Sequence, residues 1–198
     1  MDDPRLTPVG SELILGGQKS GKSRRAERLA QHWLAQSSSH RTVLIATAQA
    51  WDAEMRTRIS RHQNERALRV PAMSTVEVPM ALAEAIAEHS RGDTLLVVDC
   101  LTLWLTNWLM PAQQASQSSS PAAASQMAPI EALLQAIAGA PGPVVLVGNE
   151  IGMGVIPMGH EVRAFVDALG HLNQDVARIC QRVTLMAAGL PLILKDSE

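Results

Sequence analysis

Short apolar runs alternate along this chain with longer segments of helical spacing. The apolar runs predict buried strands at 12–16, 42–47, 94–99 and 143–148. Because each run is continuously apolar, we expect these strands to be covered on both faces, as in a parallel sheet. Helical spacing is found at 21–36, in a short segment after Asp52, at 79–89 and at about 160–182. Two further apolar runs, at 183–187 and 190–194, predict a hairpin. The pattern predicts an α/β fold with a mostly parallel sheet, flanking helices and a C-terminal hairpin.

Two segments lack any such pattern. Residues 1–11 are polar, contain two prolines and are followed by no apolar region typical of a signal peptide, so they predict a flexible tail. Residues 111–129 are almost entirely Ala, Ser, Gln and Pro without apolar periodicity, which predicts a flexible insertion. The remainder predicts a single domain over 12–198.

Composition excludes several classes of protein. Seventeen Lys and Arg against nineteen Asp and Glu give a net charge of −2, so global charge offers no footprint for nucleic acid. The most apolar stretch, 95–110, is interrupted by polar residues and is shorter than the ~20 residues of a spanning helix, so we expect no stable membrane insertion. Cys100 and Cys180 lack CxxC spacing, which favours reduced core thiols in a cytoplasmic protein.

The strongest local motif is a phosphate-binding loop that fits G-x-x-x-x-G-K-[ST] and lies between a predicted strand and a predicted helix. It consists of Gly16, Gly17, Gln18, Lys19, Ser20, Gly21, Lys22 and Ser23. The glycines let backbone N–H groups surround phosphate oxygens, and the helix adds its positive N-terminal end. Lys22 would reach the terminal phosphates, and Ser23 would supply a hydroxyl to Mg²⁺. The motif predicts nucleoside triphosphate binding without identifying the reaction.

A carboxylate that ends a later strand would complete such a site. Asp99 ends the apolar run 94–99 and is therefore favoured as a Mg²⁺ ligand, although it could also cap the apolar helix that follows. A glycine-rich loop at 149–157 follows the strand at 143–148. It is either a plain turn or part of the ligand-binding edge of the sheet, where Glu150 would be a candidate base, metal ligand or substrate contact.

A basic segment contains the most unusual histidine. Between Arg56 and Arg66 the chain carries four arginines together with His62. A charge run of this kind usually forms a solvated helix face. The alternative is a second anion site in which His62 attacks a nucleotide phosphate, since a neutral imidazole is a competent nucleophile and arginines would stabilise the developing charge.

Taken together, these motifs resemble the bifunctional adenosylcobinamide kinase / adenosylcobinamide-phosphate guanylyltransferase family of cobalamin biosynthesis. The resemblance extends over about 13–195, apart from the predicted insertion. Its pieces are 15–24, 45–48, 52–62, 98–105, 149–157 and 170–174. The phosphate-binding loop is common to many families, whereas this set of motifs in this order and spacing is highly specific.

The resemblance implies a homotrimer with a P-loop fold related to RecA. It also implies two activities: ATP or GTP phosphorylates adenosylcobinamide, and GTP then guanylylates a histidine that passes GMP to adenosylcobinamide phosphate. The family nucleophile falls on His62. Implied nucleotide contacts outside the phosphate-binding loop fall on Ala46, Thr47, Ala48, Gln63, Asn64, Glu65, Arg66, Glu77 and Asp99.

The sequence departs from the family pattern in three places. Arg61 stands where the family often has a second histidine, and Gly148 stands where a threonine is expected. Residues 67–78 diverge most, and Glu77 is matched only through the run 74–77. Two alternatives therefore stay open: a simple P-loop kinase of a small metabolite in which His62 takes no part, and a nucleotide-binding switch without catalysis.

Overall fold

The computed structural model describes residues 6–50, 52–110 and 123–197. Within these residues the chain forms seven strands and six helices. The strands are β1 (Ser11–Gly16), β2 (Arg41–Ala46), β3 (Met73–Glu77), β4 (Thr94–Asp99), β5 (Val144–Val147), β6 (Arg182–Ala187) and β7 (Leu190–Asp196). The helices are α1 (Lys22–Gln36), α2 (Ala53–Arg69), α3 (Leu82–His89), α4 (Leu101–Leu109), α5 (Ala123–Ala138) and α6 (His160–Ile179).

All seven strands form one sheet in the order β3-β2-β4-β5-β1-β6-β7. Every neighbouring pair is parallel except β6 and β7, which form the predicted antiparallel C-terminal hairpin. The predicted fold class is therefore confirmed. The three apolar strands β1, β4 and β5 lie in the middle of the sheet, where continuously apolar sequence is required because helices cover both faces.

Alternate residues of the central strands face two hydrophobic clusters. Ile14 of β1 packs with Leu29 of α1 on one face of the sheet. Leu13 and Leu15 face the other cluster, where α3, α4, α5 and α6 contribute residues such as Trp104. Packing therefore fixes α1 against one face of the sheet. The carboxyl ends of the parallel strands meet along one edge. No helix in the described part of the chain is long and apolar enough to cross a membrane.

A buried ionic cluster joins the start of β1 to α1 and β6. The Glu12 carboxylate accepts hydrogen bonds from Arg25 Nε and Thr184 Oγ1, both at 2.8 Å. Arg182 lies 3.7 Å from the second oxygen of Glu12 and also binds Asp196. β1 precedes the predicted phosphate-binding loop and α1 follows it. This cluster therefore holds together the two elements at the ends of the loop.

The structure differs from the sequence expectation at three elements. β3 was not expected; it is an edge strand whose side chains are half-buried or exposed, so its sequence lacks a continuous apolar run. α3 begins at Leu82, so the predicted start of this helix at residue 79 was wrong. α5 was not expected either, and its first residues belong to the segment predicted as an insertion.

The prediction of flexibility stays open for residues 1–5 and 111–122, which lie outside the described part of the chain. Of the remainder, Ser11 begins β1 and residues 123–129 belong to α5. Asp52 caps α2, because its Oδ1 accepts a hydrogen bond from the backbone N–H of Met55. Cys100 and Cys180 are buried and unpaired, as predicted for core thiols.

Candidate nucleotide-binding site

The predicted phosphate-binding loop connects β1 to α1 at the carboxyl edge of the sheet. Gly16 and Gly21 have φ values of +149° and +105°, which favour glycine. A Cβ atom on Gly16 would lie 2.5 Å from the carbonyl oxygen of Met186. The hairpin also contacts the loop directly, since Gly189 N–H donates to Ser20 O at 3.0 Å. The loop is thus shaped by its glycines and braced by the β6–β7 turn.

Lys22 points back into this loop. Its side chain is buried, and Nζ donates to Gly16 O at 3.0 Å and to Gly17 O at 2.7 Å. Burial lowers the pKa of Lys22 below its ordinary value of 10.5, although the nearby carboxylate of Asp99 acts in the opposite direction. A desolvated ammonium group of this kind interacts strongly with any anion that enters the loop.

Ser23 and Asp99 bring oxygen donors together beside Lys22. Ser23 Oγ donates to Asp99 Oδ2 at 3.3 Å, although 76 positions separate the two residues. The N-cap of α4 is Cys100 and has no side-chain cap, so Asp99 does not cap that helix. Ser20 Oγ is buried without a hydrogen-bond partner among the described residues. An unsatisfied buried hydroxyl inside the loop is consistent with a polar ligand there.

The carboxyl end of β2 is held by internal hydrogen bonds. Thr47 Oγ1 donates to Cys100 O at 2.7 Å and accepts from Cys100 N–H at 2.9 Å. Asn107 Nδ2 donates to Thr47 O at 2.9 Å. The Thr47 hydroxyl is therefore engaged within the protein, and Ala46 and Ala48 on either side are half-buried. Burial raises the pKa of Cys100 to about 12, so this thiol stays neutral.

The helix that carries His62 has a different character. No residue of α2 is buried, and Ile59 is only half-buried. His62 is exposed and has no hydrogen-bond or ion-pair partner in the described part of the chain. Polar contacts attach α2 to the body: Arg69 pairs with Glu27 of α1 at 2.8 Å, and Gln31 donates to Arg69 O.

The sequence-predicted residues thus form two groups, with the end of β2 between them: Thr47 N–H donates to Asp99 O at 3.1 Å, and Ala46 pairs with Glu77 in the sheet. The phosphate-binding loop, Ser23 and Asp99 lie together at the carboxyl edge of the sheet. The second group joins α2 to the end of β3, because Gln63 Nε2 donates to Glu77 Oε1 at 3.4 Å. Glu65 contacts Arg69 and Arg61, while Asn64 is exposed and Arg66 half-buried. No hydrogen bond or ion pair found within the described residues joins the two groups.

Several contacts that support the group around the phosphate-binding loop were not predicted from the sequence. Thr102 Oγ1 accepts a hydrogen bond from Asn149 N–H at 2.9 Å, and Asn173 Nδ2 donates to Asn149 O at 3.1 Å. Thr102 and Asn173 lie in the motif segments 98–105 and 170–174, but the sequence does not show that their side chains hold the backbone of Asn149. Among the described residues, no group of three or more His, Cys, Asp or Glu is placed to hold a metal ion.

Solved structures with a similar fold include a flagellar accessory protein. The crystal structure of flagellar accessory protein FlaH from Methanocaldococcus jannaschii matches with a TM-score of 0.51 and 13% sequence identity. The match covers 96% of this chain and 80% of FlaH. At this level of identity, the similarity shows the fold alone.

Comparison of the sequence is more specific. The chain is 44% identical over 184 residues to the bifunctional adenosylcobalamin biosynthesis protein CobP of Pseudomonas aeruginosa, covering 93% of this chain and 96% of CobP. It is 33% identical over 190 residues to the bifunctional adenosylcobalamin biosynthesis protein CobU of Escherichia coli, covering 92% and 98%. Residues 12–194 match the family model described as cobinamide kinase / cobinamide phosphate guanyltransferase. The predicted family and enzyme class are thereby confirmed: the chain belongs to the cobinamide kinase / cobinamide phosphate guanyltransferase family.

Proposed function

We propose that this protein carries out both reactions of its family on adenosylcobinamide. In the first, ATP or GTP phosphorylates the aminopropanol hydroxyl. In the second, GTP donates GMP to the resulting phosphate through a covalent GMP–His62 intermediate. The observation that carries this proposal is the family match over residues 12–194, which includes both the phosphate-binding loop and the histidine helix.

The phosphate-binding loop would hold the triphosphate in both reactions. Backbone N–H groups of Gly16–Ser23 would surround the phosphates, and the buried ammonium group of Lys22 would neutralise their charge. The Ser23 hydroxyl and the Asp99 carboxylate would hold Mg²⁺, whose preference for oxygen ligands fits this donor pair. Mg²⁺ would supply charge neutralisation between the phosphates. With so few protein ligands, the phosphates and water would provide the rest of its coordination.

His62 would be the nucleophile of the guanylyl transfer. A lone pair of its neutral imidazole would form the nitrogen–phosphorus bond to the α-phosphorus, and the bond to the bridging oxygen would break to release pyrophosphate. Adenosylcobinamide phosphate would then attack the same phosphorus and free the histidine. Further nucleotide contacts would come from the ends of β2 and β3 and from α2: Ala46, Thr47, Ala48, Gln63, Asn64, Glu65, Arg66 and Glu77.

We also propose that the protein acts as a homotrimer in the cytoplasm. Support for self-association comes from large exposed apolar side chains. The outer strand β7 presents Leu190, Leu192 and Leu194 with 71%, 57% and 56% of their surface exposed. Exposed apolar surface of this kind is typical of protein–protein contacts. A mass measurement in solution, repeated on Leu192→Asp, tests the assembly.

The decisive experiment is labelling with GTP that carries radioactive phosphorus at the α position, in the presence of Mg²⁺. We expect protein-bound label that is acid-labile and alkali-stable, that is lost in His62→Ala and that is discharged by adenosylcobinamide phosphate. His160→Ala, which removes an exposed histidine from the first position of α6, is the matched control and should label normally. Absence of label in folded wild-type protein would contradict the histidine mechanism and leave the plain kinase or the switch.

A further inference from the structure

The loop that follows β5 is attached to the phosphate-binding loop. Glu150 N–H donates to Gly16 O at 3.1 Å, and the same carbonyl oxygen accepts a hydrogen bond from Lys22 Nζ at 3.0 Å. In the sheet, β5 lies between β1 and β4. The chain therefore leaves β5 between the phosphate-binding loop and Asp99. The backbone of Glu150 is anchored next to Lys22, which would contact the terminal phosphates.

Further hydrogen bonds fix the orientation of Glu150. Its neighbour Asn149 is held from α4 by Thr102 and from α6 by Asn173. One carboxylate oxygen, Oε1, accepts the backbone N–H of Gly152 at 2.9 Å. Its second oxygen has no hydrogen-bond or ion-pair partner in the described part of the chain, and the side chain is half-buried. Glu150 thus presents a positioned carboxylate oxygen that is free to bind a ligand.

Other charged groups at this edge have different tasks. Lys22 can only donate hydrogen bonds, and Asp99, which accepts one from Ser23, would hold Mg²⁺. Glu77 lies on β3, which β2 and β4 separate from β5. An alcohol nucleophile carries a proton that must leave when its oxygen binds phosphorus, and a carboxylate is the usual acceptor in phosphoryl transfer to hydroxyl groups.

We propose that Glu150 is the proton acceptor of the kinase reaction, an inference that rests on the proposed function. The aminopropanol oxygen forms a bond to the γ-phosphorus as its proton passes to Glu150 Oε2. The bond between that phosphorus and the β–γ bridging oxygen breaks, and its electron pair leaves with the nucleoside diphosphate. The guanylylation of His62 needs no such acceptor, because a neutral imidazole attacks through a lone pair.

Because only the kinase reaction would need a proton acceptor, comparing the two reactions distinguishes this role of Glu150 from a general effect on the phosphate-binding loop. Glu150→Gln keeps the side-chain shape and can still accept the Gly152 hydrogen bond, but it cannot take up a proton. We expect phosphate transfer from γ-labelled nucleotide to adenosylcobinamide to fall about 10²–10⁴-fold. In the same preparation, labelling of His62 from α-labelled GTP should be unchanged. Glu150→Asp should recover part of the kinase activity, because it restores a carboxylate.

The matched control is Glu88→Gln, which alters an exposed carboxylate of α3 and should leave both reactions unchanged. Three results would overturn the proposal: an unchanged kinase rate in Glu150→Gln, an equal loss of both reactions, or restoration of the kinase rate by excess Mg²⁺, which would identify a metal ligand instead.

Failure of the proposed function gives a different result. If wild-type protein phosphorylates adenosylcobinamide but His62 is never labelled, the guanylyl mechanism is wrong, and the Glu150→Gln kinase rate still decides the role of Glu150. If His62 is labelled but wild-type protein has no kinase activity, the kinase half of the proposed function fails, and the proton-acceptor role of Glu150 is refuted with it.

Discussion

The buried cluster around Glu12 provides a quantitative test of how the nucleotide site is supported. Glu12 is 1% exposed, and its partner Arg25 is 4% exposed at 2.8 Å. At an effective dielectric constant of about 20, the attraction across that distance is about 6 kcal/mol before desolvation is counted. Glu12→Gln keeps the shape but leaves buried arginine charge without its carboxylate. We expect the free energy of unfolding to fall by about 3–5 kcal/mol, the usual loss for breaking a buried pair.

Chemical denaturation monitored by tryptophan fluorescence would measure this change, with thermal unfolding as a second readout. For a chain of this size, the expected loss corresponds to a Tm lower by roughly 10 °C. Arg178→Gln breaks an exposed pair with Asp175, so as a control it should change stability by at most ~0.5 kcal/mol. Glu12→Leu combined with Arg25→Met should recover much of the stability, because Arg182 keeps Asp196. The reasoning is refuted if Glu12→Gln is no less stable than Arg178→Gln.

Three further predictions concern the site itself. Gly16→Ala should abolish GTP binding measured by calorimetry, because its Cβ would lie 2.5 Å from Met186 O at a φ of +149°. Asp52→Ala should remove about 1 kcal/mol from the cap of α2 and slow the labelling of His62 from α-labelled GTP. Nucleotide affinity should decline as the pH rises through a range below 10.5, because burial lowers the pKa of Lys22 and only its charged form attracts phosphate. The affinity of Lys22→Met should lack this decline.

The parts of the fold that could be predicted are those buried on both faces. β1, β4 and β5 are covered by helices on either side, so their apolar runs mark them within one residue at each end. β3 has one free edge and exposed side chains, and its sequence resembles a loop. α5 begins within an Ala- and Ser-rich segment and contains Pro129, so neither its start nor its course has the usual helical signals.

The same distinction applies to the site. The phosphate-binding loop is contiguous, so its sequence shows it directly. The contact between Ser23 and Asp99 was predictable because the parallel strands β1 and β4 end at the same edge of the sheet, although β5 lies between them. The bonds from Gly189 to Ser20 and from Glu150 to Gly16 use main-chain atoms on both sides. Any residue type could supply them, so no side-chain pattern indicates that the hairpin and the β5 loop hold the phosphate-binding loop in place.

The two proposed catalytic groups lie on elements that are held differently. Glu150, which would accept the proton of the hydroxyl, is bound to Gly16 of β1 through its main-chain N–H, and its neighbour Asn149 is held by the side chains of Thr102 of α4 and Asn173 of α6. His62 lies on a helix with no buried residue, attached through polar contacts at its C-terminal half. The kinase reaction would break the bond to the γ-phosphorus, whereas guanylylation would break the bond to the α-phosphorus. A fixed proton acceptor beside the terminal phosphate and a separately supported histidine would therefore let one phosphate-binding loop serve two reactions at different phosphorus atoms, and each of the two groups could be disabled without affecting the other.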